Sequence, residues 1–320
     1  MNLNAPEKIL NNSAPRSPDY SQKDKPYHES VLLEEALRWL AVRPGGVYVD
    51  GTVGLAGHAQ AILEASGPDG FLVGFEWNES SYELALKRLR PFGDRFVLVR
   101  ENFAQIKEVL EGLGKVPVDG ILLDLGLSSF LLEGSGRGFS FLRDEPLDMR
   151  MDQRLPRTAK DLVNQLSRLQ LEELIRAYGE ERFAGRIARA ICEARRKAPI
   201  KTTRELAEII WQAVPASYRR GRLHPATRTF QALRLAVNRE LENLKRFLEQ
   251  APEVLKPGGR LVIISFHSLE DRLVKQAFRH DQRLEPLTKK PILPSPEEVS
   301  RNPRARSAKL RAAQKTVEEV

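Results

Sequence analysis

The sequence predicts an α/β chain: a parallel, nucleotide-binding sheet of the Rossmann-like kind with a helical domain inserted into it. Three observations predict this. Residues 47–50, Val-Tyr-Val-Asp, run apolar into an acid, and glycines follow at 51, 54 and 57. Apolar runs then alternate with helical periodicity as far as Asp124, the rhythm of strands joined by crossover helices. After Asp124 the rhythm stops until Gly259–Ser265. A crossover needs only about a dozen residues including its helix, so the gap holds an insertion.

The elements follow in order. Residues 1–26 are rich in Asn, Ser, Pro and Lys and read as a disordered tail, with an arm that orders on a partner as the alternative. From Tyr27 the pattern turns helical, with Val31, Leu32, Ala36, Trp39 and Leu40 on one face. Pro44-Gly45-Gly46 ends that helix and leads to the strand, turn and helix start of residues 47–58. A second strand ends at Glu76, and a helix over 80–89 carries Leu84, Leu86 and Leu89. A third strand, 96–99, leads to Asn102 and Phe103, a helix spans 104–113, and a fourth strand ends at Asp124. The insertion reads as four helices over 160–166, 171–178, 181–197 and 203–214. One crossover helix is expected over 226–251, with Phe230, Leu233, Val237, Leu241, Leu244 and Leu248 as its buried face. After Asp281 the chain is proline-rich and polar; Ser307–Arg311 reads as a final strand or as a free basic tail. The expected domains are thus a discontinuous sheet domain, 27–133 with 224–320, and an insert, 134–223.

The chain has 320 residues and a formal net charge of +8. Residues 134–223 hold 19 Lys and Arg against 12 Asp and Glu, a net +7, so the insert carries nearly all the excess. That points to a polyanion partner. In the third insert helix Phe183, Ile187, Ala190 and Ile191 form an apolar stripe beside Arg182, Arg186, Arg189 and Arg196. Such a stripe tracks a phosphate backbone or is simply a solvated face. One cysteine, Cys192, excludes an internal disulfide and a cysteine-built zinc site. The polar N-terminus lacks the apolar core of a secretory signal, and runs such as 261–264 are too short to span a membrane. A cytoplasmic protein is expected.

The turn reads G-x-x-G-x-x-G, not the G-x-G-x-x-G of dinucleotide sites. Three acids, Asp50, Glu76 and Asp124, stand at three strand ends around it. A carboxylate at the second strand end accepts ribose hydroxyls. Together the acids suit a cationic nucleoside: S-adenosylmethionine carries a ribose, an ammonium and a sulfonium, and no phosphate. The competing reading is a Rossmann-like domain whose acids only cap helices. Residues 137–152 mix aromatics, methionines, arginines and acids without a period, and fall where a loop covers the carboxyl ends of strands. Phe139 and Phe141 there suit base stacking, and Arg137, Arg143 and Arg150 suit phosphates; a linker packed by its own side chains is the alternative. Ser265 and His267 lack the G-x-S-x-G elbow of a hydrolase. They read instead as a strand end before a helix with Ser268 at the N-cap and Asp271 at N3.

At this point the residues carry a resemblance. Asp50–His58, Gly120–Ser129, Arg137–Asp152, Tyr178–Phe183, His224–Gln231, Lys256–Gly259, Ser265–Arg272 and Asn302–Ser307 resemble one family from about Tyr27 onward. It is the MraW family of bacterial small-subunit ribosomal RNA methyltransferases that act on cytosine N4. The resemblance implies a class I methyltransferase sheet with a helical insert for RNA recognition, S-adenosylmethionine as donor and no metal. It implies a cytidine in the decoding region of 16S RNA as acceptor, met in naked RNA or in the 30S subunit. By motif position it assigns donor contacts to Ala56, Gly57, His58, Glu76, Phe103 and Asp124. The chain departs from the family pattern at Ala56, where glycine is usual, at Glu76, where aspartate is usual, and at Leu131, where a glutamine often stands. The acid- or amide-Pro-Pro-aromatic motif of generic amino-methyltransferases is absent, and Asp124-Leu125-Gly126 occupies its strand end. Asp124 is therefore the one candidate for a catalytic role, in binding the donor, orienting the amine, or both. A DNA amino-methyltransferase and a non-enzymatic RNA-binding protein with a Rossmann-like core remain as alternatives.

Overall fold

The computed structural model describes residues 30–317; the expected tail over 1–26 lies outside the described residues. Seven strands form one sheet in the order β3-β2-β1-β4-β5-β7-β6. They are β1 (Val47–Asp50), β2 (Phe71–Phe75), β3 (Phe96–Val99), β4 (Val118–Asp124), β5 (Leu255–Ser265), β6 (Leu284–Pro286) and β7 (Lys309–Lys315). The first five are parallel, and β7 runs antiparallel between β5 and β6. This is the α/β, Rossmann-like sheet that the sequence predicts. The central strands are buried on both faces, which is why they read as continuous apolar runs. The final segment is a strand, not a free tail, because Leu310, Ala312 and Ala313 are buried against β5.

Helices α1 (Leu33–Leu40), α2 (Gly57–Ala65), α3 (Glu79–Leu89) and α4 (Ile106–Gly112) fill the first half. In α3 the buried face is Ser81, Ala85 and Leu89, whereas Leu84 and Leu86 are exposed. Between β4 and β5 run α5 (Ser129–Glu133), α6 (Ala159–Gln165), α7 (Arg168–Gly179), α8 (Ala184–Arg195), α9 (Thr203–Ala213) and α10 (Ala216–Arg219). Three of them open on reciprocal capping boxes: Thr158 with Asp161, Ser167 with Gln170, and Thr202 with Glu205. The inserted helices share an apolar cluster of their own around Leu171, Ile175, Ile187, Ile191, Leu206 and Ile210.

Two expectations are corrected. The single helix over 226–251 is two: α11 (Ala226–Asn238) and α12 (Glu240–Val254). The chain turns at Arg239, whose φ is +51°. Asn238 is fully buried there because its side chain accepts from Met151 N at 2.7 Å and donates to Met149 O at 2.8 Å. The apolar stripe therefore serves two cores: Phe230, Leu233 and Val237 join the insert cluster, and Leu244 and Leu248 pack under the sheet. Apolar packing thus carries the inserted unit past residue 223 into α11.

The second correction concerns α13 (Ser268–His280), whose N-cap is His267, one residue earlier than expected, with Glu270 at N3. The buried Glu270 carboxylate accepts from Phe266 N at 2.9 Å, and His267 Nδ1 accepts from Glu270 N at 3.4 Å. Asp271 is thereby left to pair with Arg311 of β7 at 2.7 Å. The last helix, α14 (Pro296–Arg301), precedes β7 and starts on Ser295 and Pro296.

Candidate active site

A divided cavity opens at the carboxyl ends of β1, β2 and β4. Its larger lobe, about 390 Å³, lies between the start of α2 and the insert and is walled by Gly57, His58, Asp124, Phe139, Phe141 and Phe230, among others. The smaller, about 80 Å³, reaches Glu76, Asn102, Phe103, Leu131, Glu240 and Glu270. Thr52, Gly54 and the segment Asp124–Ser128 stand between the two and line both.

The turn after β1 explains its glycines. Gly54 has φ +53° and its N–H donates to Glu76 Oε2 at 2.9 Å, a conformation that costs a side-chain-bearing residue. At Gly57 a Cβ would meet Ser30 Oγ at 1.9 Å. Thr52 Oγ1 accepts from Asp124 N at 2.6 Å and so ties β4's end to the turn. Ala56 takes φ +62°, a region glycine favours, and its side chain is fully buried in the core. It is not on the cavity wall, so of the six donor contacts expected from motif position it has only its backbone to offer. The other five line the cavity.

The acids are unusually placed. Glu76 is 9% exposed. It accepts from Asn78 N at 2.7 Å as well as from Gly54. Burial nonetheless pushes its carboxyl up to about 7, with those two N–H groups opposing. Asp50 is raised to about 6 by burial, opposed first by His58. Its Oδ1 accepts from Thr52 N at 3.0 Å, and its Oδ2 has no hydrogen-bond partner. Asp124, 21% exposed towards the cavity, is also raised by burial and opposed by His58. Glu240, raised by burial, forms a two-point pair with Arg234 at 2.9 and 3.0 Å across the α11–α12 turn. The cavity thus concentrates buried carboxylates, which favours a cationic ligand.

Other features were not legible from the motifs. Asn102 caps the turn at Phe103 by accepting from Ala104 N at 2.8 Å, and its buried Nδ2, on the wall of the smaller lobe, has no partner. Phe103 is held edge-on by Phe247 at 5.6 Å. Leu131 is buried and makes an apolar part of the same wall. Phe139 and Phe141 do line the larger lobe. Two of the arginines read as suited to phosphates are engaged within the loop: Arg137 donates to Arg150 O and Met151 O, and Arg150 pairs with Asp148 and donates to Gln153 O and Leu155 O. Both are used to fold the loop, whereas Arg143 is exposed.

On α8 and the residues flanking it, Arg182, Arg186, Arg189 and Arg196 are exposed, and Ile187 and Ile191 are buried, as the two stripes require; Ala190 is only partly covered. Arg182 and Arg186 lie over the Phe183 ring at 4.8 and 5.9 Å. Among the described residues no helix is long and apolar enough to cross a membrane.

The sequence profile of the MraW methylase family matches residues 25–316. The protein named ribosomal RNA small subunit methyltransferase H of Syntrophus aciditrophicus is 52% identical over 307 residues, covering 90% of this chain and 98% of that protein. The protein of the same name from Geobacter sulfurreducens is 52% identical over 306 residues, with the same shares covered. A solved structure described as a putative rRNA-methylase from Clostridium thermocellum aligns with a TM-score of 0.46 at 12% identity, covering 90% of this chain and all of that one.

Proposed function

The chain belongs to the MraW methylase family, and from that premise we propose that it transfers a methyl group from S-adenosylmethionine to the N4 amine of a cytidine in the decoding region of 16S rRNA, in the cytoplasm. The observation that carries this reading is the divided, carboxylate-rich cavity, with Glu76 in one lobe and Asp124 on the wall between the two.

The residues fit the donor. Glu76 would take the ribose hydroxyls, and Phe103 with the unpartnered Nδ2 of Asn102 would take the adenine. The backbone of Gly54–His58 and the acids Asp50 and Asp124 suit the ammonium and sulfonium end. When bound, the donor supplies an electrophilic methyl group. The rest falls to the protein. The N4 lone pair of cytosine is delocalised into the ring, so holding the amine in line is the main catalytic task. A carboxylate at Asp124 accepts a hydrogen bond from that amine and takes its proton late. Phe139, Phe141 and Phe230 give the base an apolar seat once it leaves its stack. Residues 27–133 and 224–320 form the methyltransferase part on this reading and 134–223 the RNA-facing part, with α11 of the former packed into the apolar cluster of the latter.

The test is transfer from labelled S-adenosylmethionine to unmodified 30S subunits and to naked 16S RNA, with nucleoside analysis of the product. N4-methylcytidine at one site supports the proposal, and the better substrate fixes the stage of assembly. Donor binding without transfer to either substrate would overturn the RNA assignment and favour another acceptor such as DNA. Absence of donor binding would favour a non-enzymatic RNA-binding protein.

A further inference from the structure

A column of aromatic rings leads out of the larger lobe. Phe141 lines that lobe and stacks on His224 with centroids 4.7 Å apart and planes at 29°. His224 stacks in turn on Trp211 at 5.2 Å and 23°. Phe230, also on the lobe wall, meets Phe141 edge-on at 5.1 Å. The three stacked rings come from the loop before α6, the residue two before α11, and α9. His224 Nδ1 accepts from Ala226 N at 3.2 Å, which fixes its ring plane. At the outer end Trp211 is 37% exposed.

The outer end is also cationic. Arg219 lies over the Trp211 ring at 5.7 Å and is held there by Val214 O and Gln212 O, both at 3.2 Å. Arg220 and Arg222 follow on an exposed turn. Among the described residues none of these three arginines is ion-paired with a carboxylate. A partly exposed indole beside arginines without a carboxylate partner is what an unpaired nucleic-acid strand needs: a ring for a base, with Arg219 free to move onto a phosphate as the base takes its place. Extruding a target base also leaves its neighbour without a stacking partner.

We propose that the Trp211–His224–Phe141 column is a stacking platform for single-stranded RNA, seating the nucleotide next to the target base, with the Arg219–Arg222 turn on its phosphates. The inference rests on the RNA reading above and adds the element that receives the flanking nucleotide. It makes the substrate an unpaired or readily unpaired segment and predicts tolerance of base identity at the flanking position, since every base has a π face.

The test is binding of a short labelled single-stranded RNA containing the target cytidine to the full-length protein, by anisotropy, alongside donor affinity and thermal melting. Trp211→Ala is expected to weaken RNA binding about fivefold to a hundredfold, as loss of one base stack does, with donor affinity and melting unchanged. Trp211→Phe is expected to retain most of the affinity. An abasic nucleotide on one side of the target should cost wild type as much as Trp211→Ala does, and the two losses should not add. RNA affinity unchanged in Trp211→Ala, with wild type binding RNA, overturns the platform and leaves the RNA reading intact. Loss of donor affinity and melting temperature together in Trp211→Ala makes the ring structural and also overturns it. A wild type that binds donor but no RNA overturns the reading on which the platform rests.

Discussion

His58 and Asp124 face each other across the start of α2, with Nδ1 3.8 Å from Oδ2. The other ring nitrogen, Nε2, lies 3.0 Å from Val31 O. A carbonyl oxygen only accepts, so Nε2 carries a proton and Nδ1 turns towards the carboxylate. Asp50 contributes an unpartnered oxygen to the same buried group, and Glu270 adds its charge from α13. A proton arriving at Asp124 therefore meets buried ionisable neighbours on one side and the cavity on the other.

On the proposed reading that proton comes from the cytosine amine. Asp124→Asn keeps the shape, a hydrogen-bond acceptor and the backbone bond to Thr52 but removes the base that takes the proton. Single-turnover transfer is expected to fall by about 10²- to 10⁴-fold, the usual range for a lost general base, with a smaller loss of donor affinity. Full transfer by the variant would exclude a required carboxylate there.

Glu76 gives two pH dependences of opposite sign. Its carboxyl is raised from the ordinary 4.5 to about 7 by burial. The folded state thus holds a proton that the unfolded chain has released between about pH 4.5 and 7. Its contribution to stability is present below that window and lost as pH rises through it, by no more than about 3 kcal/mol. Donor affinity should move the other way, since the ribose hydroxyls need the ionised acceptor, and should weaken as pH falls below about 7. Glu76→Gln is expected to flatten both profiles, with Asp50, at about 6, leaving a smaller stability slope. Calorimetry of donor binding about one pH unit either side of 7 checks this; equal affinities in wild type would remove Glu76 from the ribose.

Gly57 and Ser30 compete for one volume. A Cβ on Gly57 would lie 1.9 Å from Ser30 Oγ and 3.3 Å from its Cβ. Gly57→Ala is expected to cost roughly 1–3 kcal/mol, the usual range for overpacking, and to push Ser30 off the cavity wall. The double variant with Ser30→Gly should recover most of that loss. Urea melts of the two single variants and the pair give the coupling directly; strict additivity would mean that the clash is relieved elsewhere.

The sheet is legible in the sequence because its strands are buried on both faces and read as apolar runs, each ending at an acid or a turn. That pattern marks Asp50, Glu76 and Asp124 without any knowledge of their neighbours. The resemblance supplies Gly57, His58 and Phe103, and it also points to Ala56, whose positive φ turns the methyl group into the core. The break at Asn238 is not legible, because its hydrogen-bond partners at Met151 and Met149 lie 87 and 89 residues away. A helical period carries no trace of such distant partners. The loop partners of Arg137 and Arg150 are not legible either: backbone carbonyls of their own loop take their donors, and composition does not reveal carbonyls. The Trp211–His224–Phe141 column joins three segments that share no period.

The stripe on α8 is measurable through salt. Arg168 and Arg176 of α7 share a concave surface with Arg182, Arg186 and Arg189 at α8, with Glu172 as its acid. Glu172 pairs with Arg176 at 2.7 Å and Arg168 at 3.4 Å, one carboxylate against two guanidinium groups, so the trio keeps a net positive charge. Arg189 lies 3.7 Å from Glu193, an exposed pair worth little. Arg182 and Arg186 are the cations of the stripe held over a ring. If the stripe meets phosphates, each neutralised phosphate releases counterions, and log affinity falls with log salt in proportion to their number. Reversing Arg182, Arg186 and Arg189 to glutamate is expected to weaken RNA binding by at least about tenfold at roughly 0.1 M salt. The slope of log affinity against log salt should also become shallower, by roughly 0.7–0.9 for each phosphate left without its arginine. Donor affinity, measured in the same preparations, should not change, because none of the three arginines lines either lobe of the cavity. An unaltered salt slope with intact RNA binding would make the stripe a solvated helix face and move the RNA backbone to the Arg219–Arg222 side of the insert.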